Sequence, residues 1–508
     1  MAFLTSPKGQ LATLLGIALV LRLAWMIFTN FTYEDAYITF RYAQRLSTGQ
    51  GFVYNVGERV DGTSTPLFTL LMAGWLLVDP GDPVMGARLI GLAAGLISLG
   101  LVWSLLGRLN ITDLRRLIPI ALLVMSDKLW ARDTGGMETS LAICLMLAAW
   151  YAAVRGWSAR AGLLAGLMLW TRIDMAVWLA VLSVVCWYAD RRPPIRLVVF
   201  AGLIYLPWVV FATLYFGSPV PFTVIAKWQA YNIAGAQSPY LEHLLIILRW
   251  LTPFSLPENA ATGLVDLLWI FTAFCAAVGA IAIRRIRPLL LLAAFGLTEL
   301  AVLTLARATF STRYFMPLLW VMMILAGIGL GSIWNRLSTV PHAARGAATL
   351  TAALAVIGID LGLGYGQALA FRDIQQNIND RALKSIGLWL EQNTVADAAV
   401  LLEPLGYIGY YANRRMIDVV GLVSPEIVDL KRQGLTTLQA VPIIRPDYIV
   451  IHCDDALDWE KQSESGQSDF VAHYQRAVTF NPMNFDPVGS DETALQRTAC
   501  YEVWGPRK

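Results

Sequence analysis

Residues 11–29 read LATLLGIALVLRLAWMIFT, an apolar run interrupted by one charged residue, Arg22. A helix of about 20 such residues crosses the ~30 Å hydrocarbon core of a bilayer. Comparable runs recur as far as residue 369. Hydrophobic residues make up 56% of the 508-residue chain and charged residues only 15%, whereas about a quarter of a soluble globular protein is charged. The sequence therefore predicts an α-helical, polytopic membrane protein.

Basic residues between the apolar runs orient the predicted helices. With the N-terminus inside, every inner loop carries at least two basic residues, such as Arg115 and Arg116, as the positive-inside rule requires. Residues 370–508 then lie on the extracytoplasmic side. We expect about 11 spans, at residues 11–29, 84–106, 116–130, 138–154, 161–174, 175–189, 196–216, 263–283, 288–306, 314–334 and 347–369.

Two outer segments, residues 30–83 and 217–262, are long enough to carry structure of their own. Residues 36–46 have helical spacing with one apolar face. Residues 66–78 are apolar but too short to span the bilayer, which predicts a helix lying in the interface. We assign the spans and these outer segments to one membrane domain, residues 1–369.

The chain changes character at residue 370, where charged residues become frequent and long apolar runs stop. Residues 379–393 have the pattern of an amphipathic helix, and residues 398–403 and 448–452 that of short buried strands. We therefore predict an extracytoplasmic α/β domain over residues 370–508. Cys453 and Cys500 could pair in an oxidising compartment, and the sequence leaves that pairing open.

Acidic and basic residues gather at the predicted outer ends of several helices. Ionisable groups cost free energy at membrane depth, and the cost falls toward the interface. Each could be a helix-end residue wetted by interfacial water, but a bundle would bring such ends into one polar cavity. The set comprises Glu34, Asp35, Lys128, Arg132, Asp133, Glu138, Arg172, Asp174, Lys227, Arg307 and Arg313.

The pair Glu34-Asp35 follows the first span and precedes an amphipathic helix. A partly desolvated carboxylate can serve as a general base. Asp35 could also cap the helix that begins at Ala36, and the two roles are compatible.

Several other outer residues could bind phosphate or sugar. Arg41 lies on the helix that follows the pair. Thr63 and Ser64 belong to a hydroxyl-rich turn, whose hydroxyl and N–H groups could bind a phosphate or could bond only to one another within the turn. Lys227 and Arg313 could bind a phosphate or ordinary lipid headgroups.

Other chemistries find little support in the sequence. The formal net charge of +3 is too small to predict a nucleic-acid partner. The four histidines show no metal-ligand spacing, and no HExxH, paired CxxC, phosphate-binding loop or dinucleotide fingerprint occurs. We predict neither a metal site nor a cofactor.

The first outer segment resembles that of bacterial GT-C glycosyltransferases, through residues 34–43 (EDAYITFRYA) and 49–67 (GQGFVYNVGERVDGTSTPL). The likeness is strongest to the arabinofuranosyltransferase branch of actinobacterial cell-wall enzymes and extends to mannosyltransferase-like proteins. Here the family often has Asp-Asp in place of Glu34-Asp35, and Arg-Pro-Glu in place of Arg172-Ile-Asp174. Further similar motifs are residues 135–139, 169–174, 215–227, 312–317 and 403–411.

The resemblance implies an inverting transfer of a sugar from a polyprenyl-phosphate donor on the outer face of a bacterial inner membrane. The acceptor would be a hydroxyl of a cell-envelope glycan, lipid or protein. Asp35, with Glu34 beside it, would be the base. The matched motifs make Arg41, Thr63, Ser64, Glu138, Arg172, Asp174, Lys227, Arg313 and Tyr314 the substrate- and phosphate-binding candidates.

Two alternatives remain from the sequence. A transporter or flippase would place ionisable groups at mid-membrane in paired halves, whereas here they cluster at one interface, apart from Arg22. A lipid-linked glycan ligase would share the membrane features and differ only in its donor.

Overall fold

The computed structural model describes residues 6–232, 239–255, 262–306, 312–336, 362–486 and 494–507. The chain folds into two compact units, and each unit is built from segments that are distant in sequence. The first unit comprises Met1–Asn30, Ala87–Pro207 and Ser238–Ala370, and the second comprises Phe31–Gly86, Trp208–Gln237 and Phe371–Lys508. The predicted domains, residues 1–369 and 370–508, stay a prediction.

Long apolar helices build the first unit. The opening helix begins where the Ser6 hydroxyl accepts a hydrogen bond from the Gly9 N–H at 3.0 Å, and it ends at Asn30, whose φ of 47° is left-handed. The helices are α1 (Pro7–Thr29), α4 (Pro83–Arg108), α5 (Leu114–Met125), α6 (Asp127–Thr134), α7 (Thr139–Val154), α8 (Ser158–Thr171), α9 (Ala176–Asp190), α10 (Ile195–Phe216), α12 (Tyr240–Trp250), α13 (Thr262–Ile283), α14 (Leu290–Leu305) and α15 (Met316–Arg336).

Among the described residues, 7 helices are long and apolar enough to cross a membrane, or 8 if the pair α6 and α7, bent by 105°, forms one broken span. A polytopic membrane protein is thereby confirmed, but the expected count of about 11 is not. The predicted span 116–130 divides at Ser126, because the polar sequence of α6 cannot continue an apolar helix. Most of the predicted span 347–369 lies outside the described residues.

Small residues allow close helix packing in the first unit. A Cβ atom at Gly279 of α13 would collide with the Leu325 carbonyl oxygen of α15, and one at Gly329 of α15 would collide with the Cys275 carbonyl oxygen of α13. Glycine at both positions therefore lets these two backbones touch, as in other membrane helix pairs.

The second unit combines short helices with a small sheet. Its first elements are α2 (Ala36–Ser47), α3 (Pro66–Leu76) and α11 (Phe222–Asn232), and the last part of α10 also belongs to it. A π-helix (Ile374–Lys384) continues into α16 (Ser385–Asn393). The remaining elements are β1 (Ala399–Leu402), α17 (Gly406–Ala412), β2 (Arg415–Asp418), α18 (Pro425–Arg432), α19 (Thr437–Ile444), β3 (Tyr448–His452), α20 (Cys453–Glu464), α21 (Phe470–His473), β4 (Tyr474–Phe480), α22 (Ala494–Ala499) and β5 (Tyr501–Pro506).

The sheet has the strand order β2-β1-β3-β5-β4. Strands β1, β2 and β3 are parallel, and β5 pairs antiparallel with β3 and β4. Strands β1 and β3 coincide with the two predicted strands, and a small sheet at the C-terminus is confirmed. Cys453 and Cys500 form a disulfide with their Cα atoms 5.5 Å apart, which answers the question that the sequence left open.

Candidate functional site

The eleven candidate residues fall in both units. Five belong to the first unit and six to the second, so each group is considered by itself. The single polar cavity expected from the sequence stays a prediction. The first-unit residues are Glu138, Arg172, Asp174, Arg313 and Tyr314, and the second-unit residues are Glu34, Asp35, Arg41, Thr63, Ser64 and Lys227.

Glu34 and Asp35 lie in the turn between α1 and α2. The Glu34 carboxylate accepts hydrogen bonds from the backbone N–H groups of Gly406 and of Tyr407, the latter at 3.3 Å. Burial raises the pKa of Glu34 well above its ordinary value, and the neighbouring charge of Asp35 raises it further, against the effect of the two N–H donors. Glu34 is thus tied to the start of α17.

Asp35 immediately precedes α2, but its side chain makes no capping hydrogen bond to the first turn. Its backbone is helical rather than extended, with φ −56° and ψ −24°, and a side chain caps a helix from the extended conformation. The Asp35 side chain is half-buried. Of the two roles expected for Asp35, side-chain capping of α2 is therefore wrong, and the role of base stays a prediction.

Arg41 is fully buried on α2, and its guanidinium donates hydrogen bonds to backbone carbonyl groups of its own unit. It donates to the carbonyl oxygens of Arg414 at 3.2 Å, Tyr410 at 3.4 Å and Tyr54 at 3.5 Å. These contacts hold α17 and its end against α2. The predicted phosphate-binding role of Arg41 stays a prediction beside this structural one.

The hydroxyl-rich turn before α3 is closely packed. Thr63 is buried, with its hydroxyl 3.2 Å from that of Thr65, and Ser64 is half-buried. At Gly62 a Cβ atom would lie 2.7 Å from the Tyr42 hydroxyl and 2.9 Å from the Leu422 carbonyl oxygen. Only glycine fits there, so the backbone of the turn is closely packed against Tyr42 and Leu422.

Asp61, which opens this turn, is a candidate that the sequence interpretation missed. Its side chain is buried, and neither carboxylate oxygen has an aligned hydrogen-bond donor among the described residues. Burial raises the pKa of Asp61 to about 7, against the stabilising effect of the Thr63 N–H. Buried carboxylates without partners are costly and concentrate at functional sites. Its place in the quoted 49–67 stretch was the available signal.

Lys227 lies on α11, which is joined to the same turn. The N–H of Phe222, the first residue of α11, donates to the Asp61 carbonyl oxygen at 2.9 Å. Ala226 is fully buried and the Lys227 side chain is half-buried. The backbone of the turn thereby fixes the start of the helix that carries Lys227.

In the first unit, Arg172 is the centre of a buried charge cluster. Its guanidinium donates to Asp174 at 2.6 and 3.1 Å and to Glu138 at 3.4 Å. The ring of Tyr314 lies 5.0 Å from the Arg172 guanidinium carbon and 5.4 Å from that of Arg313. The structure therefore brings all five first-unit candidates together.

Glu299 is a second residue that the sequence interpretation missed. It is buried on α14 and interacts electrostatically with Asp174 and Arg172. A lone glutamate in the apolar run LTELAVL was the available signal. Arg22, the charge inside the first span, donates to the buried Asp133 at 2.6 Å.

No group of three or more metal-ligating side chains occurs within the ranges that the structure describes. The second unit contains carboxylates held by amides or left unpaired, together with a lysine. The first unit contains arginines partnered by carboxylates and a tyrosine. Such groups can take up a proton and neutralise an anion.

Comparisons with known proteins agree with this architecture. Residues 372–504 match the model of a domain of unknown function (DUF8728). The chain is 28% identical over 221 residues to a terminal beta-(1->2)-arabinofuranosyltransferase of Mycobacterium tuberculosis, a match over 38% of this chain and 34% of that protein. The chain thus matches about a third of the length of this curated relative.

Two solved structures are similar over nearly their whole length. ArnT from Cupriavidus metallidurans bound to undecaprenyl phosphate superposes with a TM-score of 0.63 at 13% identity, over 98% of each chain. The apo form of that ArnT gives a TM-score of 0.58 at 12% identity, over 89% of this chain and 95% of the other. ArnT is a GT-C glycosyltransferase. The predicted likeness is confirmed: this chain is a multi-pass membrane protein with the GT-C fold, and it resembles an arabinofuranosyltransferase in sequence.

Proposed function

We propose that the chain transfers a sugar from a polyprenyl-phosphate donor to a hydroxyl of a cell-envelope glycan, lipid or protein. Its fold is that of ArnT, whose structure was solved with undecaprenyl phosphate, and its sequence resembles that of an arabinofuranosyltransferase. These likenesses support a glycosyltransferase that uses a lipid-linked sugar.

The reaction needs a base on one side and cations on the other. The acceptor oxygen attacks the anomeric carbon, the bond from that carbon to the phosphate oxygen breaks, and the configuration inverts. The hydroxyl proton passes to a carboxylate, and polyprenyl phosphate leaves with the bonding electrons. Fixed donors stabilise the charge that develops on the leaving group.

The different environments of Glu34 and Asp35 are the observation that supports the proposal most. Glu34 is bound by the N–H groups of Gly406 and Tyr407, so it anchors the turn. Asp35 is held beside it without a capping bond to α2. We assign the base to Asp35 and the positioning of its turn to Glu34.

The cations for the phosphate are proposed within each unit. Lys227 is the second-unit candidate, on a helix fixed to the Asp61 turn. In the first unit, Arg313 is the candidate cation, and the Tyr314 hydroxyl is a candidate hydrogen-bond donor. Arg172 is already paired with Asp174 and Glu138, so its proposed role is to position Tyr314 beside Arg313.

An extracytoplasmic location of residues 370–508 is part of the proposal. The Cys453–Cys500 disulfide supports it, because disulfides persist in oxidising compartments and are rare in the cytosol. The arginine-rich inner loops support the same orientation. The cell compartment would then be the outer face of a bacterial inner membrane.

The test is Asp35→Asn in the full chain, purified and reconstituted in liposomes. Sugar transfer is measured from synthetic polyprenyl-phosphate sugars, including arabinofuranose, to envelope acceptors. Loss of a general base lowers turnover by ~10²–10⁴-fold, so we expect kcat to fall by that factor while donor binding persists.

Glu34→Gln is the matched control, since its amide oxygen can still accept from Gly406 and Tyr407. We expect that variant to keep transfer within about tenfold of the wild type, because it loses charge but keeps its hydrogen bonds. Wild-type turnover in Asp35→Asn would remove Asp35 as the base.

A further inference from the structure

A cavity of about 370 Å³ lies in the second unit at one edge of the sheet. Glu403 directly follows β1, Val419 directly follows β2, and His452 ends β3, and all three line the cavity. These strands are parallel, so the cavity lies at their carboxyl ends. Ligands of open α/β sheets bind at that edge, and the volume falls within the range of small-molecule sites.

Helix α20 forms one wall of this cavity. Asp455, Trp459 and Gln462 line it, and their spacing of four and then three residues places them on one face of the helix. Phe470 supports the Trp459 ring edge to face, with centroids 5.3 Å apart. The Cys453–Cys500 disulfide fixes the start of α20, so this face is held before any ligand arrives.

The lining chemistry excludes two ligand classes. No lysine or arginine lines the cavity in the part of the chain that the structure describes, whereas the carboxylates of Glu403 and Asp455 do. Like charges repel, so this lining disfavours a phosphate or other anion. Glu403 interacts electrostatically with Lys431, which does not line the cavity, and with His452 and Asp455, which do. These side chains do not form a metal-binding group within the described ranges.

What remains is an aromatic face bordered by hydrogen-bonding groups. Carboxylates, the Gln462 amide and the Thr437 hydroxyl can bond to hydroxyl groups, and Trp459 offers an apolar ring. We propose that this cavity binds a neutral glycan, one or two sugar units at a time, as an acceptor-holding site. Its role as an acceptor site rests on the proposed function.

The experiment measures glycan binding by the full chain in detergent, with no donor present. Saturation-transfer NMR is recorded with neutral tetrasaccharides of arabinofuranose, galactose and mannose, with anionic tetragalacturonate and with a cationic glucosamine tetramer. We expect at least one neutral glycan to bind, and the anion not to bind. In Trp459→Ala and in Asp455→Asn the affinity should fall about tenfold, as loss of one aromatic or charged contact implies.

Asp458→Asn is the matched control, because Asp458 is exposed on the same helix and does not line the cavity. It should bind like the wild type. Circular dichroism checks that each variant is folded, and Gln462→Ala replaces Trp459→Ala if that variant is not. Absence of neutral-glycan binding, preference for the cationic tetramer, or equal binding by wild type and folded cavity variants overturns the proposal.

Transfer assays on the same variants separate the two proposals. We expect the cavity variants to raise KM for a polymeric acceptor while kcat on a short soluble acceptor stays unchanged. Glycan binding without any sugar transfer by the wild type would end the proposed function and leave the cavity as a glycan site. Transfer with an unchanged KM in the cavity variants overturns the acceptor role.

Discussion

Two groups of buried charges, one in each unit, differ in the partners that they have. In the first unit, two buried arginines form ion pairs: Arg172 contacts Asp174 and Glu138, and Arg22 contacts Asp133. In the second unit, the Glu34 carboxylate accepts hydrogen bonds from the backbone amides of Gly406 and Tyr407, and Asp61 has no aligned donor among the described residues.

This contrast separates charges that are explained by stability from charges that are not. A buried ion pair offsets much of the cost of taking two charges out of water. A buried carboxylate without a cation keeps that cost, which proteins retain mainly where function requires it. The Arg172 and Arg22 ion pairs can therefore be explained by stability, whereas the second-unit carboxylates Glu34 and Asp61 point to chemistry.

The largest expected effect comes from breaking the first-unit cluster. Arg172→Ala leaves the buried Glu138 without its cation, and removing one partner of a buried pair costs about 3–5 kcal/mol. We expect a corresponding fall in thermal stability of the purified chain in detergent.

Arg249→Ala is the control for this loss. Arg249 contacts Asp266 through two hydrogen bonds of 2.8 and 3.1 Å, but both side chains are more than a third exposed. Exposed pairs contribute little to stability, so this variant should unfold close to the wild type. Equal losses in the two variants would mean that burial does not distinguish these pairs.

Asp61→Asn should raise the stability of the protein rather than lower it. The folded pKa of Asp61 is about 7 against an ordinary value of 3.8, so the folded protein keeps a proton that the unfolded chain loses between these values. Stability therefore falls as pH rises from about 4 to about 7. Asparagine carries no charge, so the replacement removes the cost of burying an ionised carboxylate. At ~1.4 kcal/mol per pKa unit, the free energy of unfolding should rise by up to about 4 kcal/mol above pH 7.

The measurement is the unfolding temperature of wild type and Asp61→Asn from pH 4 to pH 8. The unfolding temperature of the variant should exceed that of the wild type most at pH 8, and the two temperatures should converge toward pH 4. Asp397→Asn, at an exposed aspartate of the same unit, should show no such trend. A variant that is less stable than wild type at pH 8 would contradict the prediction.

The smallest expected effect concerns Asp35 itself. Because its side chain makes no capping bond, Asp35→Ala should not incur the ~1 kcal/mol loss of stability that removal of a helix cap causes. Thr436→Ala supplies the comparison, since the Thr436 hydroxyl accepts from the Gln439 N–H at 3.3 Å in a complete capping box. A larger loss at Asp35 than at Thr436, measured by thermal unfolding, would make Asp35 structural.

The helices were predictable where apolar length alone decides them. The predicted span 196–216 nearly coincides with Ile195–Phe216, and the predicted helix at 66–78 contains Pro66–Leu76. The break at Ser126 was missed because the apolar run before it and the polar run after it are both helical. Strand β5 was missed because its place depends on pairing with β3, about 50 residues earlier in the sequence.

The candidate site was predictable only as residue types. The pair Glu34-Asp35 stood out because carboxylates are rare beside a membrane helix. Their different environments could not be predicted, because the contact of Glu34 with Gly406 joins residues 372 positions apart. Asp61 was hidden for the same reason: its burial depends on Tyr42 and on the residues near Leu422 that close around Gly62.

Following the fate of the donor tests the proposed sugar transfer. Wild-type chain in liposomes is given a radiolabelled polyprenyl-phosphate arabinofuranose and an envelope glycan acceptor, and products are separated by phase partition and analysed by NMR. We expect one polyprenyl phosphate to be released for each glycoside formed, and the anomeric configuration of the glycoside to be inverted. Acceptor-dependent transfer from a nucleotide sugar instead, or movement of the intact donor across the bilayer without cleavage, would contradict it.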